Sequence, residues 1–131
     1  MDAVANHSDE SNDILNKKIA EYSLAVLKDR PNFHISLVVD VAPYCDCHAE
    51  NDAAIVPDVG MFASFDPVAL DLACADAVNR QPAIAGSILS ERDCCHHDHF
   101  TDVHPETNWM VALEHAEKLG LGSREYELIT I

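Results

Sequence analysis

The sequence predicts an α/β fold, and three observations lead to it. "FHISLVVDV", Phe33 to Val41, is short, apolar and rich in β-branched residues, the pattern of a buried strand. "SFDPVALDLACADAVNR", Ser64 to Arg80, contains a helix start. Asp66 can accept from the free N–H groups there, and Pro67 sits in the first turn, where its missing donor costs nothing. A hydrophobic content of 48% over 131 residues suffices for one domain with a true core.

The elements follow in chain order. Residues 1–12 are polar and without period, a frayed tail that leaves 13–131 as the domain. Ser11 or Asn12 caps a first helix, on which Leu15, Ile19, Tyr22 and Val26 recur at 4-3-4 spacing as one apolar stripe, the side by which such a helix ordinarily meets a core. Arg30-Pro31 ends it, because the residue before a proline avoids the helical region. After the Phe33–Val41 strand, Pro43 prevents simple continuation, residues 42–56 form a loop, and a second short strand lies near Val59–Ala63. Leu70, Cys74 and Ala77 share one face of the helix that Asp66 opens. Residues 80–106 read as irregular. Thr107 caps a last helix with Trp109, Leu113 and Ala116 inward, and Gly120 suits its C-terminal end. "YELITI" closes the chain as a strand, with Tyr126, Leu128 and Thr130 on one face. The expected architecture is a small mixed sheet of about three or more strands flanked by helices. So few strands point to an incomplete half of a larger α/β fold, lacking a partner or a part of a longer chain.

Eight basic against 23 acidic residues give a formal charge of −15. A phosphate backbone or an anionic membrane would be repelled, whereas cationic partners and metal ions fit. No apolar run approaches the roughly 20 residues that span a bilayer, and the acidic start "MDAVANHSDESND" lacks a signal-sequence pattern. A cytoplasmic location is the expectation, and five cysteines in a reducing compartment are buried residues, metal ligands or reactive thiols rather than structural disulfides. The four glycines, at 60, 86, 120 and 122, form no phosphate-binding pattern, so no nucleotide is expected.

Three constellations carry chemistry. In Cys45-Asp46-Cys47 an extended backbone would point both thiols to one side, where they could share a metal ion. Asp40, Asp46, Glu50, Asp52 and Asp58 crowd the same loop. Such carboxylates either bridge a cation or cap and turn the loop by bonding its backbone. "CCHHDHF" places Cys94, Cys95, His96, His97 and His99 together as a second ligand-rich run, or else as an adventitious metal-grabbing loop. Cys74 reads as core, His34 as a satisfied strand histidine and His115 as solvated. A Cys45 or Cys47 nucleophile with His48 as base lacks any group to orient the base.

"DVAPYCDC", "NDAAIVPDVGMFASFDPVALDLACADAVN" and "HPETNW…LEHAEKLGLGSREYELITI" resemble the C-terminal part of the uncharacterised iron–sulfur-centre proteins, domain-of-unknown-function family 362, over roughly Lys17 to Ile131. The combination of C-D-C, I-V-P-D-[IV]-G, S-x-D-P-V-A-[IL]-D and G-L-G-S is specific, and each piece alone is weak. The resemblance implies a setting of anaerobic redox chemistry, a possible metal ion or iron–sulfur cluster, and a partner polypeptide carrying the ferredoxin-like part, since no C-x-x-C-x-x-C run occurs here. Asp40, Cys45, Asp46, Cys47, Asn51, Asp52, Asp58, Ser64, Asp66 and Asp71 stand at the positions that match.

Three functions compete at this stage. One is a metal- or cluster-associated redox module with Cys45 and Cys47 as ligands and Asp46, His48 or Asp52 completing the site. A second is an enzyme half-site, with Asp40, Asp58 and Asp71 completed by another polypeptide. The third is a structural or homodimerising module whose thiols are incidental. Whether the chain is an enzyme stays open. A final expectation is geometric: the second strand ends at Ser64 before a helix start, and that positive helix end should face the crevice of the Cys-Asp-Cys loop.

Overall fold

A computed structural model describes residues 11–45, 48, 49, 51–92 and 98–131. The order is α1 (Asn12–Leu27), β1 (His34–Val38), β2 (Gly60–Ser64), α2 (Pro67–Asn79), α3 (Ile88–Glu91), α4 (His99–Val103) and α5 (Met110–Lys118). It is a mixed α/β arrangement, but among the described residues the sheet has two antiparallel strands, not three or more. "YELITI" pairs with neither. Tyr126 donates its hydroxyl to Asp76 on α2, and beyond it Leu128, Ile129 and Ile131 lie exposed. The stretch 80–106 also holds two short helices, α3 and α4, within what read as irregular chain. Of the expected tail, residues 1–10 lie outside the described chain, and α1 begins at Asn12.

β1 and β2 pair with His34 opposite Ser64 and Val38 opposite Gly60. In that register His34, Ser36, Val38, Phe62 and Ser64 turn toward the helices, while Ile35, Leu37, Met61 and Ala63 turn away. Strand side chains alternate strictly, so the polar set of β1 faces inward and its apolar set faces out.

α2 is the central helix. Seven of its residues are buried, among them Val68 toward one end and Val78 toward the other. Val78 joins Val38, Ile55, Val56, Leu89 and Val103 in one core, and Val68 joins Ala20, Leu113 and Ala116 in a second. Cys74, expected as core, is half-buried against the first. α1 packs on α5, but through Ala20 rather than the stripe: Ile19, Tyr22 and Val26 are exposed. The small alanine lets the helices approach while Asn16 donates to the Asn108 carbonyl at 2.8 Å and His115 meets Glu21 at 3.1 Å. His115 is therefore engaged between helices rather than simply solvated.

Two aspartates tie the helices together. Asp66 caps α2 as expected, with Oδ1 accepting from Val68 N and Ala69 N, both at 2.9 Å. Its Oδ2 also accepts from Ser123 N at 2.8 Å. α5 ends in a Schellman motif: Gly120, at φ +76°, donates to the Glu117 carbonyl, and Leu121 donates to that of Ala116. This turn delivers Gly122 against Asp66, where a Cβ would stand 2.1 Å from Oδ1. Thr107 does not cap α5, whose first turn is instead preceded by the helical Trp109. Asp98 collects donors from three elements. Asn79 and Phe100 N reach Oδ1 at 3.3 and 3.1 Å, and Thr101 and the Trp109 indole reach Oδ2 at 2.7 and 2.8 Å. Burial pushes this carboxyl upward, but the four donors together outweigh it and hold its pKa below the usual carboxylate value.

Asp66→Ala should cost about 1–2 kcal/mol in urea unfolding through the lost cap. Gly122→Ala should destabilise the protein with Asp66 present and cost far less in the Asp66→Ala background, so the double-mutant cycle closes with strong coupling. Because the folded pKa of Asp98 is depressed, its contribution is complete above the ordinary value of 3.8 and is lost as pH falls below it. In Asp98→Asn the fall of stability across that acid limb should be shallower, measured by thermal melts from pH 5 downward.

Candidate functional site

The Cys45 loop leaves β1 at its Val38 end. Its bends are made by side chains that satisfy its own backbone. Asp40 takes a left-handed conformation, φ +52°, and donates its N–H to Asp58 Oδ1 at 2.8 Å. Asn51 accepts from Tyr44 N at 3.2 Å and donates to Tyr44 O at 3.1 Å, closing the loop as a strand neighbour would. Asp52 accepts from Ala53 N at 2.7 Å. The aspartates described here thus hold the loop's shape.

Cys45 is exposed and heads a turn in which its carbonyl accepts from His48 N at 2.9 Å. The His48 ring lies 5.6 Å from that of Tyr44, which in turn meets His104 edge-on at 5.5 Å. His104 fastens the loop to the chain after α4 through the Pro43 carbonyl. Asp46, Cys47 and Glu50 lie outside the described residues, as do Cys94, Cys95, His96 and His97. His99 belongs to α4, with Nε2 on the Gln81 carbonyl at 2.8 Å. Among the described residues no three His, Cys, Asp or Glu side chains group as metal ligands would. Of the five expected ligands, Cys45, His48 and Asp52 lie among the described residues, and these three do not group, so they make up part of a ligand set at most, since a structural site takes four.

The helix end expected beside this loop is elsewhere. Antiparallel pairing puts Ser64 next to His34, at the opposite end of the sheet from Val38 and the loop, about 14 Å away along a five-residue strand. The first-turn N–H groups of α2 are taken by Asp66 in any case. The expectation of one shared crevice held only for parallel strands.

A second place gathers polar groups that sequence reasoning did not bring together. A cleft of about 470 Å³ lies between α1, β1, α2 and α5, with Ala20, Val68, Leu113 and Ala116 among its walls and Ser23, His34, Ser36 and Asp71 among its polar lining. Asn32 commits its amide N–H to the Arg30 carbonyl at 3.0 Å, which fixes Oδ1 toward His34 Nε2 at 2.8 Å. Asp71 keeps one side open to solvent, yet the protein around the other side disfavours its charge and raises its pKa, with the positive charge of a protonated His34 opposing. On the next turn of α2, burial raises the Cys74 thiol, a Ser36 hydroxyl contact partly offsets that, and Asp71 adds to the rise. The signal in the sequence was polar His34 and Ser36 alternating within an apolar strand.

A family model described as a domain of unknown function, DUF362, matches residues 2–76, more than half of the chain. The chain belongs to the DUF362 family. The DUF362 match takes in α1, both strands, the Cys45 loop and most of α2, and it stops before Gly120-Leu121-Gly122-Ser123. No curated protein and no solved structure matches. No helix of the described residues is long and apolar enough to cross a membrane.

In a variant whose other cysteines are serine, alkylation of Cys74 should show a pH midpoint above the ordinary thiol value. Asp71→Asn should lower that midpoint, because the neighbouring carboxylate opposes the thiolate.

Proposed function

We propose that this DUF362 domain is one half of a larger α/β unit, a module whose task is to dock another polypeptide layer on the outer face of its sheet. The observation that supports this most is the composition of that face. Ile35, Leu37, Met61 and Ala63 point outward in register, Phe33 and Phe65 extend the ladder with rings 4.9 Å apart, and Val39 continues it. Leu37 is 66% exposed, Met61 69% and Phe65 78%. Together the large side chains leave on the order of 800 Å² of apolar surface, more than the largest patch on an ordinary monomer and close to one partner's share of a standard interface. No charged side chain interrupts the ladder. The α1 stripe adjoins it, since Ile19, Phe33 and Ile35 all line the same cleft. Both strands also keep a free edge among the described residues, where a further strand can add. With a net charge of −15 on the whole chain, the fitting partner is an apolar layer with a basic rim.

Leu37→Glu combined with Met61→Glu tests this. The pair should leave the thermal stability of the isolated chain within about 0.5 kcal/mol, because the face takes no part in its own core, and should abolish binding of a hydrophobic-surface dye. Unfolding by these substitutions would mean that the face is core, and the proposal would fail. A photo-crosslinker at position 37 or 61 should capture one and the same polypeptide in cells, and one at Lys118 should not.

A metal- or cluster-associated redox role is a second reading, favoured by the exposed turn in which the Cys45 carbonyl accepts from His48 N. Cys47, Asp46 and Asp52 would complete or tune that site, with any remaining ligands from the docked layer. Anaerobically purified protein should then carry stoichiometric metal that Cys45→Ser with Cys47→Ser removes. Metal-free protein, or metal indifferent to both changes, would end this reading.

A further inference from the structure

We propose that the cleft between α1, β1, α2 and α5 binds a small organic amine, its ammonium head held at Asp71 and His34 and its aliphatic body on the helices. The volume, about 470 Å³, lies within the usual range for small-molecule sites, and apolar walls with a few convergent polar groups are the usual lining.

The class of ligand follows from an accounting of donors. Asn32 Oδ1 can only accept, so in the neutral imidazole His34 Nε2 carries the proton and Nδ1 keeps its lone pair. Ser23 gives its hydroxyl proton to the Ile19 carbonyl at 2.9 Å, which leaves its oxygen as an acceptor. The Ser36 hydroxyl is engaged with Cys74. Asp71, ionised, accepts only. With His34 neutral, the polar side chains of the lining therefore offer lone pairs and negative charge, with no side-chain donor left over for an anion. A ligand that brings its own N–H groups and a positive charge completes it. The chain's charge of −15 favours cationic over anionic ligands in general. The raised pKa of Asp71 agrees, since a partly desolvated carboxylate gains from an arriving cation. Phe33 and Ile35 reach the rim of this cleft from the outer face, so the titrations below use the chain by itself.

n-Octylammonium, 1-octanol and octanoate, kept below their micelle thresholds, separate the head from the chain. The three are titrated into the full chain and followed by backbone amide shifts and by thermal melting. Octylammonium should bind saturably, shift the amides of residues 34, 36 and 71 and raise the melting temperature, with octanol weaker and octanoate not binding. Asp71→Asn should weaken octylammonium roughly tenfold, as expected for one lost charge-assisted hydrogen bond, and leave octanol unchanged. Glu125→Gln, which removes an exposed acid elsewhere, should leave both unchanged. The proposal is overturned if octanol binds as well as octylammonium, if Asp71→Asn has no effect, if Glu125→Gln costs as much, or if nothing saturates.

Discussion

The pairing of β1 with β2 in the register that sets His34 opposite Ser64 decides what each face of this protein offers. A slip of β1 by one residue against β2 would bury Ile35 and Leu37 and expose His34 and Ser36. The loop between the strands opposes that slip. Asp58 receives the Asp40 N–H, Val59 donates to the Val38 carbonyl and Ile55 donates to that of Val41, each at 2.8 Å. The loop's aspartates therefore act on the sheet as well as on themselves. By fixing the register they keep the polar half of β1 against α2 and the apolar half open.

The helical layer depends on α2 in a corresponding way. Its two ends are bound by carboxylates that belong to different parts of the chain, Asp66 at its start and Asp98 beside its end. Asp66 explains why S-x-D-P-V-A and G-L-G-S occur in one sequence although 57 positions separate the bonded pair. The acid needs a backbone donor on its open side, and that donor can approach only past a residue without a Cβ. One motif supplies the acid and the other the gap.

Much of the architecture was legible because it rests on local chemistry. The Asp66 cap, Pro67 in the first turn and Gly120 at the end of α5 are rules of a few neighbouring residues, and they held. The strands were found near their places because short β-branched runs have few alternatives. The orientation of α1 was not legible, since a stripe of large residues marks a helix without saying what it packs on, and the helix meets α5 through Ala20. "YELITI" has a strand's composition but is fastened to α2 at Tyr126 and exposed beyond it, a tertiary preference that no pattern of alternation reports. The position of the α2 start relative to the Cys45 loop depended on strand direction, which composition does not encode. The cleft needed three-dimensional proximity of residues from four elements, so only His34 and Asp71 could be noticed, and only separately.

The indole of Trp109, the single tryptophan of the chain, rests on Asp98 and lies 5.5 Å from the ring of Phe100. Its emission therefore senses the junction of α2, α4 and α5, while the two strands carry no such fluorophore. Loosening of the sheet would pass unseen in that signal until the helical corner itself gave way. Far-ultraviolet dichroism, which follows the backbone everywhere, supplies the other half of the comparison, and any gap between the two curves would expose a departure from all-or-none melting.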